Sequence, residues 1–334
     1  MGRPVIRTAR ATGRSSAAPG RPVRGPRAGW PTVAGVLAVV TALSAGVGLR
    51  QAGASARSAG MGAARAEVTP AAGAAPLAST AASPATPSAP TASPTPSPSP
   101  TPSPLLVAGP VAVQVPGFFS WALLDRRTGA VAGSANDESG TSSTESMIKA
   151  WITSDYLRLL GNQQPSQQRL DELRRMIRDS DDQAAEEIYR ADGGDSVVYR
   201  MIRICGLTDT TVESGWWSMT QISARDAVRL GQCVADGRAA GPTWTAWVLD
   251  QMRQVEGEGR FGIIDALPAD IAAQTAIKNG WTLIYADGLW HVSCLAVHDD
   301  FVLAVLARYP GSLGLSYGAN VCKSVAVQLQ TQHS

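Results

Sequence analysis

Residues 146–149 read Ser-Met-Ile-Lys (SMIK) and open a segment whose apolar residues recur at helical spacing until Gly161. Ser146 and Lys149 are one turn apart, with Cβ atoms about 5–6 Å from each other. Ile148 and Trp151 surround the lysine with apolar surface, so desolvation disfavours its ammonium form. The spacing therefore predicts a serine nucleophile whose proton is taken by Lys149. The alternative is a helix-capping serine with a solvated lysine.

Lysine is rare in this chain. Of 29 basic residues only three are lysines: Lys149, Lys278 and Lys323. Arginine stays protonated in proteins, whereas lysine can act as an amine. This usage indicates that lysine is kept where an amine is needed.

The charge distribution separates the N-terminal region from the rest of the chain. Residues 1–66 carry ten arginines and no acid, whereas residues 111–334 carry 19 basic and 26 acidic residues. An acidic globular part argues against nucleic-acid binding. Residues 1–29 are expected to be a cytoplasmic Arg-rich segment, because positive charge stays inside. The uncharged 20 residues that follow, 30–49, are long enough to span a bilayer as a signal anchor.

This anchor would place the C-terminal domain outside the cell membrane as a single-pass protein. Ala54-Ser55-Ala56 also fits a signal-peptidase site, so secretion after cleavage is the alternative. Residues 50–110 are rich in Ala, Ser, Thr and Pro and predict a disordered spacer. The folded domain is expected at 111–334, as a monomer.

Four cysteines in the globular part fit an oxidising compartment. The pairing Cys205–Cys233 with Cys294–Cys322 is favoured among three possibilities, each bridge spanning 28 residues. Free buried thiols are the alternative. Nothing in the spacing suggests a metal site, and no cofactor is implied.

Hydrophobic periodicity predicts an α+β domain. Strands are expected at 118–134 (a pair around a turn at 127–129), 281–286, 290–297 and 301–308. Helices are expected at 146–160, 167–178, 181–190, 196–204, 223–234 and 320–330. Because strands at both ends enclose a helical middle, we predict one antiparallel sheet shared by the two ends, with helices on its faces.

Two further motifs follow the serine helix. Ser180-Asp181-Asp182 opens a helix, and Lys278-Asn279-Gly280-Trp281 begins a strand. Together with Ser146-x-x-Lys149, this order resembles the serine β-lactamases and penicillin-binding proteins. The resemblance covers most of residues 111–334. It implies a β-lactamase/transpeptidase-like fold.

The resemblance also implies residue roles. Ser146 would be the acylated nucleophile, Lys149 its base, and Ser180 a proton relay to the leaving nitrogen. Lys278 would hold a substrate carboxylate, and the backbone N–H groups of Ser146 and Trp281 would form an oxyanion hole. Substrate contacts are expected from Asp182, Asn279, Gly280 and Trp281. Substrates would be peptidoglycan peptides of the D-Ala-D-Ala type or β-lactams.

Several positions depart from the family pattern. Asp182 stands where asparagine is usual and would pair with Lys149, keeping it charged. A capping box formed by Ser180 and Gln183 is the structural alternative for that motif. Asn279 replaces a hydroxyl residue. The region 206–223 offers only Asp209 and Glu213 as possible deacylation bases, and Glu213 is expected to be a solvated loop acid, so efficient β-lactam turnover is not expected.

Other features compete with this interpretation. Gly314-Leu315-Ser316-Tyr317-Gly318 matches a nucleophile elbow, but no acid follows it, and we predict a loop there. His291 and His298 are predicted to be structural, and tryptophans 216, 217, 281 and 290 are either core residues or a cleft lining. The rival hypothesis is a catalytically silent cell-wall binding module on the same fold.

Overall fold

The structure, a computed structural model, describes residues 103–330. The predicted Arg-rich segment at 1–29, the predicted membrane segment at 30–49 and most of the predicted spacer lie outside this range. Among the described residues no helix is long and apolar enough to span a membrane.

Strands and helices within residues 103–330 are numbered in chain order. The strands are β1 (Phe118–Asp125), β2 (Val131–Gly133), β3 (Thr141–Ser143), β4 (Gln221–Ser223), β5 (Ala276–Ile277), β6 (Gly280–Ile284), β7 (Leu289–Val297) and β8 (Phe301–Pro310). The helices are α1 (Lys149–Leu160), α2 (Gln167–Arg178), α3 (Asp182–Ala191), α4 (Ser196–Cys205), α5 (Ala224–Ala235), α6 (Thr245–Arg253), α7 (Ala269–Gln274) and α8 (Gly314–Gln330).

One antiparallel sheet carries the domain, in the order β2-β1-β8-β7-β5, with β6 also paired to β7. Strands β1 and β2 come from the start of the described chain and β5–β8 from its end. The prediction of one sheet built by both ends is confirmed. β3 and β4 form a separate two-stranded sheet.

Helices cover both faces of the sheet. Consecutive strand residues point to opposite faces, so Cys294 and Leu295 of β7 mark the two sides. The Cys294–Cys322 disulfide fixes α8 to one side. On the other side, Gly231 of α5 lies so close to Leu295 that an added Cβ would be 3.1 Å from its methyl group. The sheet is therefore the middle layer of three.

Both favoured disulfides are present. Cys205–Cys233 joins α4 to α5, and Cys294–Cys322 joins β7 to α8. The described residues contain no free cysteine, so the alternative of free buried thiols is wrong.

The last helix begins earlier than predicted. It starts at Gly314, so the expected loop at 314–318 is the first part of α8. Gly318 is in contact with Tyr309, whose hydroxyl accepts a hydrogen bond from the Gly318 N–H at 3.0 Å. A side chain at 318 would collide with that hydroxyl, and this close contact explains the glycine.

Packed structure also begins upstream of the predicted boundary at residue 111. Leu106 is buried in the core, and the Val107 N–H donates to the Leu329 carbonyl at 2.9 Å. The C-terminal helix therefore holds this segment.

Candidate active site

Ser146 lies in a 3₁₀ turn, Glu145–Ile148, that leads from β3 into α1. The predicted helix is confirmed, although its α-helical part starts only at Lys149. Glu145 has φ +47°, an uncommon conformation for a non-glycine residue. This conformation turns the chain sharply and sets Ser146 at the edge of a pocket. Among the described residues, the Ser146 hydroxyl has no hydrogen-bond partner.

Lys149 is fully buried, as its apolar neighbours predict. Its ammonium nitrogen donates to Asp182 Oδ1 at 2.5 Å and to the Ser180 carbonyl at 2.5 Å. It does not contact Ser146 Oγ within the described hydrogen bonds. The predicted pairing of Asp182 with Lys149 is therefore present, and the Asp182 side chain is 80% exposed on the pocket side.

Ser180 joins the two motif lysines. Its hydroxyl accepts from Lys149 Nζ at 3.2 Å and from Lys278 Nζ at 2.9 Å. A hydroxyl has two acceptor positions and one donor. With both acceptor positions used by the lysines, its proton is free to point into the pocket.

Burial lowers the pKa of both lysines. For Lys149 the hydrogen bond and charge of Asp182 oppose the lowering. For Lys278 burial is joined by the positive charge of Lys149, and its pKa falls well below the ordinary value. Lys278 has only neutral hydrogen-bond partners, Ser180 and the Asn279 carbonyl. Lys278 is therefore the more readily deprotonated of the two.

Full burial also changes the role expected for Lys278. Its side chain does not line the pocket but lies beneath Ser180. Direct contact with a substrate carboxylate is not what this geometry offers, because the hydroxyl of Ser180 stands in between. Any influence of Lys278 on a ligand passes through Ser180.

The capping-box alternative for residues 180–183 is wrong. Asp181, not Ser180, caps α3, accepting from the Ala184 N–H at 3.0 Å. Ser180 precedes the helix in a left-handed conformation, φ +61°. In this conformation both the carbonyl and the hydroxyl of Ser180 accept hydrogen bonds from Lys149.

Asn279 is a structural residue, which corrects the prediction of a substrate contact. Its amide nitrogen donates to the carbonyls of Gly259 and Phe261 at 3.0 and 2.8 Å. Its amide oxygen accepts from the Leu295 N–H at 3.3 Å. Threonine or serine cannot donate twice, so an amide suits this position.

Gly280 is required by close packing. A Cβ there would lie 2.5 Å from the Thr144 carbonyl oxygen and 2.7 Å from the Ser146 backbone nitrogen. β6 therefore runs directly beside the turn that holds Ser146. Gly280 does not line the pocket, but it allows β6 to lie close to the turn that holds Ser146.

The pocket has a volume of about 510 Å³ and is lined by Ser146, Ser180, three tryptophans and five acids. Trp216 is 60% exposed, and Trp217 and Trp281 complete the aromatic wall. Trp217 donates its ring N–H to Glu186 at 2.9 Å. All three tryptophans line the pocket, and Trp217 also belongs to the buried core.

The pocket surface is acidic. Its acids are Glu145, Asp179, Asp182, Glu186 and Glu258, and no lysine, arginine or histidine of the described chain lines it. Glu213 is exposed and lies outside the lining, as predicted for a solvated loop acid. In the described range, no group of three or more His, Cys, Asp or Glu residues could hold a metal ion.

The sequence interpretation missed Glu145. It is only 3% exposed and accepts hydrogen bonds from Ser143 at 2.6 Å and Thr282 at 2.8 Å. His291 approaches the same Ser143 hydroxyl at 2.8 Å. Burial raises the pKa of Glu145 against the lowering effect of these hydrogen bonds. Its only sequence signal is its position directly before Ser146.

His291 and His298, which were predicted to be structural, both lie outside the pocket lining. His291 lies between Ser143 and Asp287, which its Nε2 contacts at 2.9 Å. His298 accepts from the Asp300 N–H at 3.1 Å and stacks on Phe301.

Comparison with known proteins supports the resemblance inferred from the motifs. The model of the β-lactamase enzyme family matches residues 163–282, which contain the Ser180 and Lys278 motifs but not Ser146. Putative lipoproteins LppW of Mycobacterium bovis and Mycobacterium tuberculosis are 32% identical over 193 residues, covering 54% of this chain and 60% of theirs. The chain thus spans less than two thirds of these relatives.

Solved β-lactamases share the fold. The TLA-3 extended-spectrum β-lactamase superposes with TM-score 0.54 at 14% identity, covering 65% of this chain and 94% of its own. A β-lactamase from Burkholderia vietnamiensis gives 0.53 at 17% identity, with 65% and 93% covered. The class A β-lactamase from Mycobacterium abscessus gives 0.51 at 15%, with 66% and 95% covered. The predicted α+β, β-lactamase-like fold is confirmed.

Proposed function

We propose that this chain, whose fold is that of the class A β-lactamases, is an extracytoplasmic serine hydrolase or acyl transferase. Its substrates would be peptidoglycan peptides of the D-Ala-D-Ala type or β-lactams. The observation that carries the proposal is the hydrogen-bonded row Lys149–Ser180–Lys278, whose middle residue, Ser180, lines the same pocket as Ser146. A row of two amines and a hydroxyl can move protons between a nucleophile and a leaving group.

In the proposed reaction, Ser146 Oγ attacks the carbonyl carbon of the substrate amide. Its proton passes to neutral Lys149, and the Ser180 hydroxyl delivers a proton to the leaving nitrogen as the C–N bond breaks. Lys149, which now carries the proton of Ser146 and donates to Ser180 Oγ at 3.2 Å, restores the proton on Ser180. The backbone N–H groups of Ser146 and Trp281 would stabilise the oxyanion. Water or an amine then takes the acyl group from the serine ester.

The ion pair between Lys149 and Asp182 determines whether Lys149 can take the proton of Ser146. A lysine that donates to a carboxylate at 2.5 Å is held as an ammonium ion and is not a base. Because Asp182 is largely exposed, it can turn into solvent when a ligand fills the pocket. Acylation is therefore expected to be slow and to speed up as pH rises.

Hydrolysis of the acyl-enzyme is expected to be slower still. The loop acid Glu213 is outside the pocket, and Asp209 is bound by its own neighbour Thr208. Neither is placed to activate water. A long-lived acyl-serine, as in a penicillin-binding protein, fits this site better than rapid β-lactam turnover.

An extracytoplasmic location is supported by two disulfides, which form in oxidising compartments. The matched relatives are named putative lipoproteins. For this chain we propose tethering through residues 30–49, which lie outside the described range, with secretion after cleavage as the alternative. The domain would act as a monomer.

A catalytically silent binding module is the second candidate function. The observation that favours it is the same Lys149–Asp182 ion pair, which occupies the expected base. Such a module would hold peptides in the pocket without forming a covalent bond.

Labelling with a fluorescent penicillin distinguishes the two. Residues 103–334 and the Ser146→Ala variant would be incubated with the probe and followed by fluorescence on denaturing gels. Label on the parent alone supports the nucleophile, and its decay rate separates a hydrolase from a penicillin-binding protein. If neither protein takes label while circular dichroism shows both folded, the penicillin-reactive hypothesis fails.

A further inference from the structure

Glu145 connects two segments of the candidate site. It is the residue directly before Ser146, and it accepts from the hydroxyl of Thr282, the residue directly after Trp281, at 2.8 Å. The backbone N–H groups of Ser146 and Trp281 are the proposed oxyanion donors. One side-chain hydrogen bond thus links the neighbours of both donors.

The second carboxylate oxygen of Glu145 is also hydrogen-bonded. This oxygen accepts from the Ser143 hydroxyl, which lies 2.8 Å from His291 Nδ1. His291 in turn contacts Asp287 through Nε2. The Ser143 hydroxyl has one proton and donates it to Glu145, and the His291 ring lies against both Ser143 and Asp287. The row Glu145–Ser143–His291–Asp287 therefore satisfies the buried carboxylate and fixes its direction.

Among the hydrogen bonds of the described residues, the one from Thr282 to Glu145 is the side-chain link between the two segments. Gly280 lets β6 lie against the turn, where a Cβ would be 2.6 Å from Glu145 Cβ. Packing alone sets how near the segments can come, whereas a hydrogen bond also fixes their register along the strand. Thr282 Oγ1 is also 2.7 Å from the Trp281 carbonyl, and an ionised Glu145 is the stronger acceptor of its single proton.

We propose that Glu145 is a positioning residue: its hydrogen bond to Thr282 fixes the spacing between the backbone N–H groups of Ser146 and Trp281. This inference rests on the proposed function, because those groups matter as oxyanion donors only if Ser146 is acylated. Donors act by their placement around the developing charge, so a small displacement slows acylation strongly.

The test uses Thr282→Val, which removes the hydroxyl at an exposed position, with Thr282→Ser as the matched control. The acylation rate constant at saturating penicillin should fall about 10- to 100-fold in Thr282→Val and stay within about twofold in Thr282→Ser. The constant for non-covalent binding before acylation should not change. Parent-like acylation by Thr282→Val would overturn the proposal.

A double-mutant cycle excludes a direct contact between the Thr282 hydroxyl and the penicillin. In the Glu145→Ala background the Thr282→Val substitution should have no further effect, because the hydrogen bond is already lost. An undiminished effect in that background would overturn the proposal.

Hydrogen–deuterium exchange tests the link without any reaction. Thr282→Val should speed exchange of the peptides carrying the Ser146 and Trp281 amides about fivefold, and Thr282→Ser should not. Unchanged exchange in Thr282→Val would overturn the link. A parent that takes no acyl group but shows this exchange pattern would contradict the proposed function and support the link.

Discussion

The variant Asp182→Asn is expected to acylate faster than the parent. Asp182 holds Lys149 as an ammonium ion through a 2.5 Å hydrogen bond. An asparagine accepts a hydrogen bond there but lacks the charge that stabilises the ammonium form. Removing that charge leaves burial as the dominant influence and lowers the pKa of Lys149 further.

The magnitude follows from the exposure of the two partners. A hydrogen bond to a charged group contributes about 1.5–3 kcal/mol when buried, and an exposed ion pair about 0–1 kcal/mol. Lys149 is buried but Asp182 is 80% exposed, so we take about 1 kcal/mol. That corresponds to about fivefold more neutral lysine at a fixed pH below the pKa of Lys149.

The assay is the rate of penicillin labelling between pH 6 and 10. The rate should rise with pH in both proteins, because the base is the neutral amine. In Asp182→Asn the rising limb should lie at lower pH. Asp179→Asn is the matched control, since it removes a pocket carboxylate that does not contact Lys149. A tenfold slower Asp182→Asn, with Asp179→Asn unchanged, would refute the reasoning and make Asp182 itself an assisting group.

Three further outcomes are expected. Gly280→Ala should slow labelling at least about 100-fold, because the Cβ of the new alanine would lie 2.7 Å from the Ser146 backbone nitrogen. The circular dichroism spectrum should not change. Labelling at the parent rate would contradict this prediction. Replacing both Cys294 and Cys322 by alanine should lower the free energy of unfolding by about 3–4 kcal/mol, because the disulfide closes a loop with a sequence separation of 28 residues. Urea titration measures this change, and a loss below about 1 kcal/mol would contradict the prediction. A penicillin with an amino side chain should label faster than one with a second carboxylate, because five acids line the pocket. Added salt should reduce this difference in labelling rate. Equal rates at low salt would show that these acids do not select the ligand.

The parts of the fold predicted correctly carry strong local signals. α2 is amphipathic and capped by Ser166, and its bounds agree with the sequence pattern. β7 and β8 are long apolar runs separated by a turn at 298–300. The short elements were missed because three residues, as in β3, give no periodicity.

The site was predicted in its residues and in one contact, the pair of Lys149 and Asp182, but not in its other contacts. Ser146, Lys149, Ser180 and Lys278 were recognised by motif order, and the structure brings them together. The hydrogen bonds from Lys149 to the Ser180 carbonyl and hydroxyl depend on the left-handed conformation of Ser180, which no pattern encodes. Glu145 was missed because its partners, Thr282 and His291, are far along the chain.

The central claim is that Ser146 becomes acylated. The most direct measurement is the intact mass of residues 103–334 after incubation with penicillin, followed by tryptic mapping of the peptide from Thr128 to Lys149 and its fragmentation. We predict one added penicillin per chain, located on Ser146 and absent from Ser146→Ala. An adduct on another residue, or an unmodified mass for a folded protein after long incubation at alkaline pH, would contradict the claim.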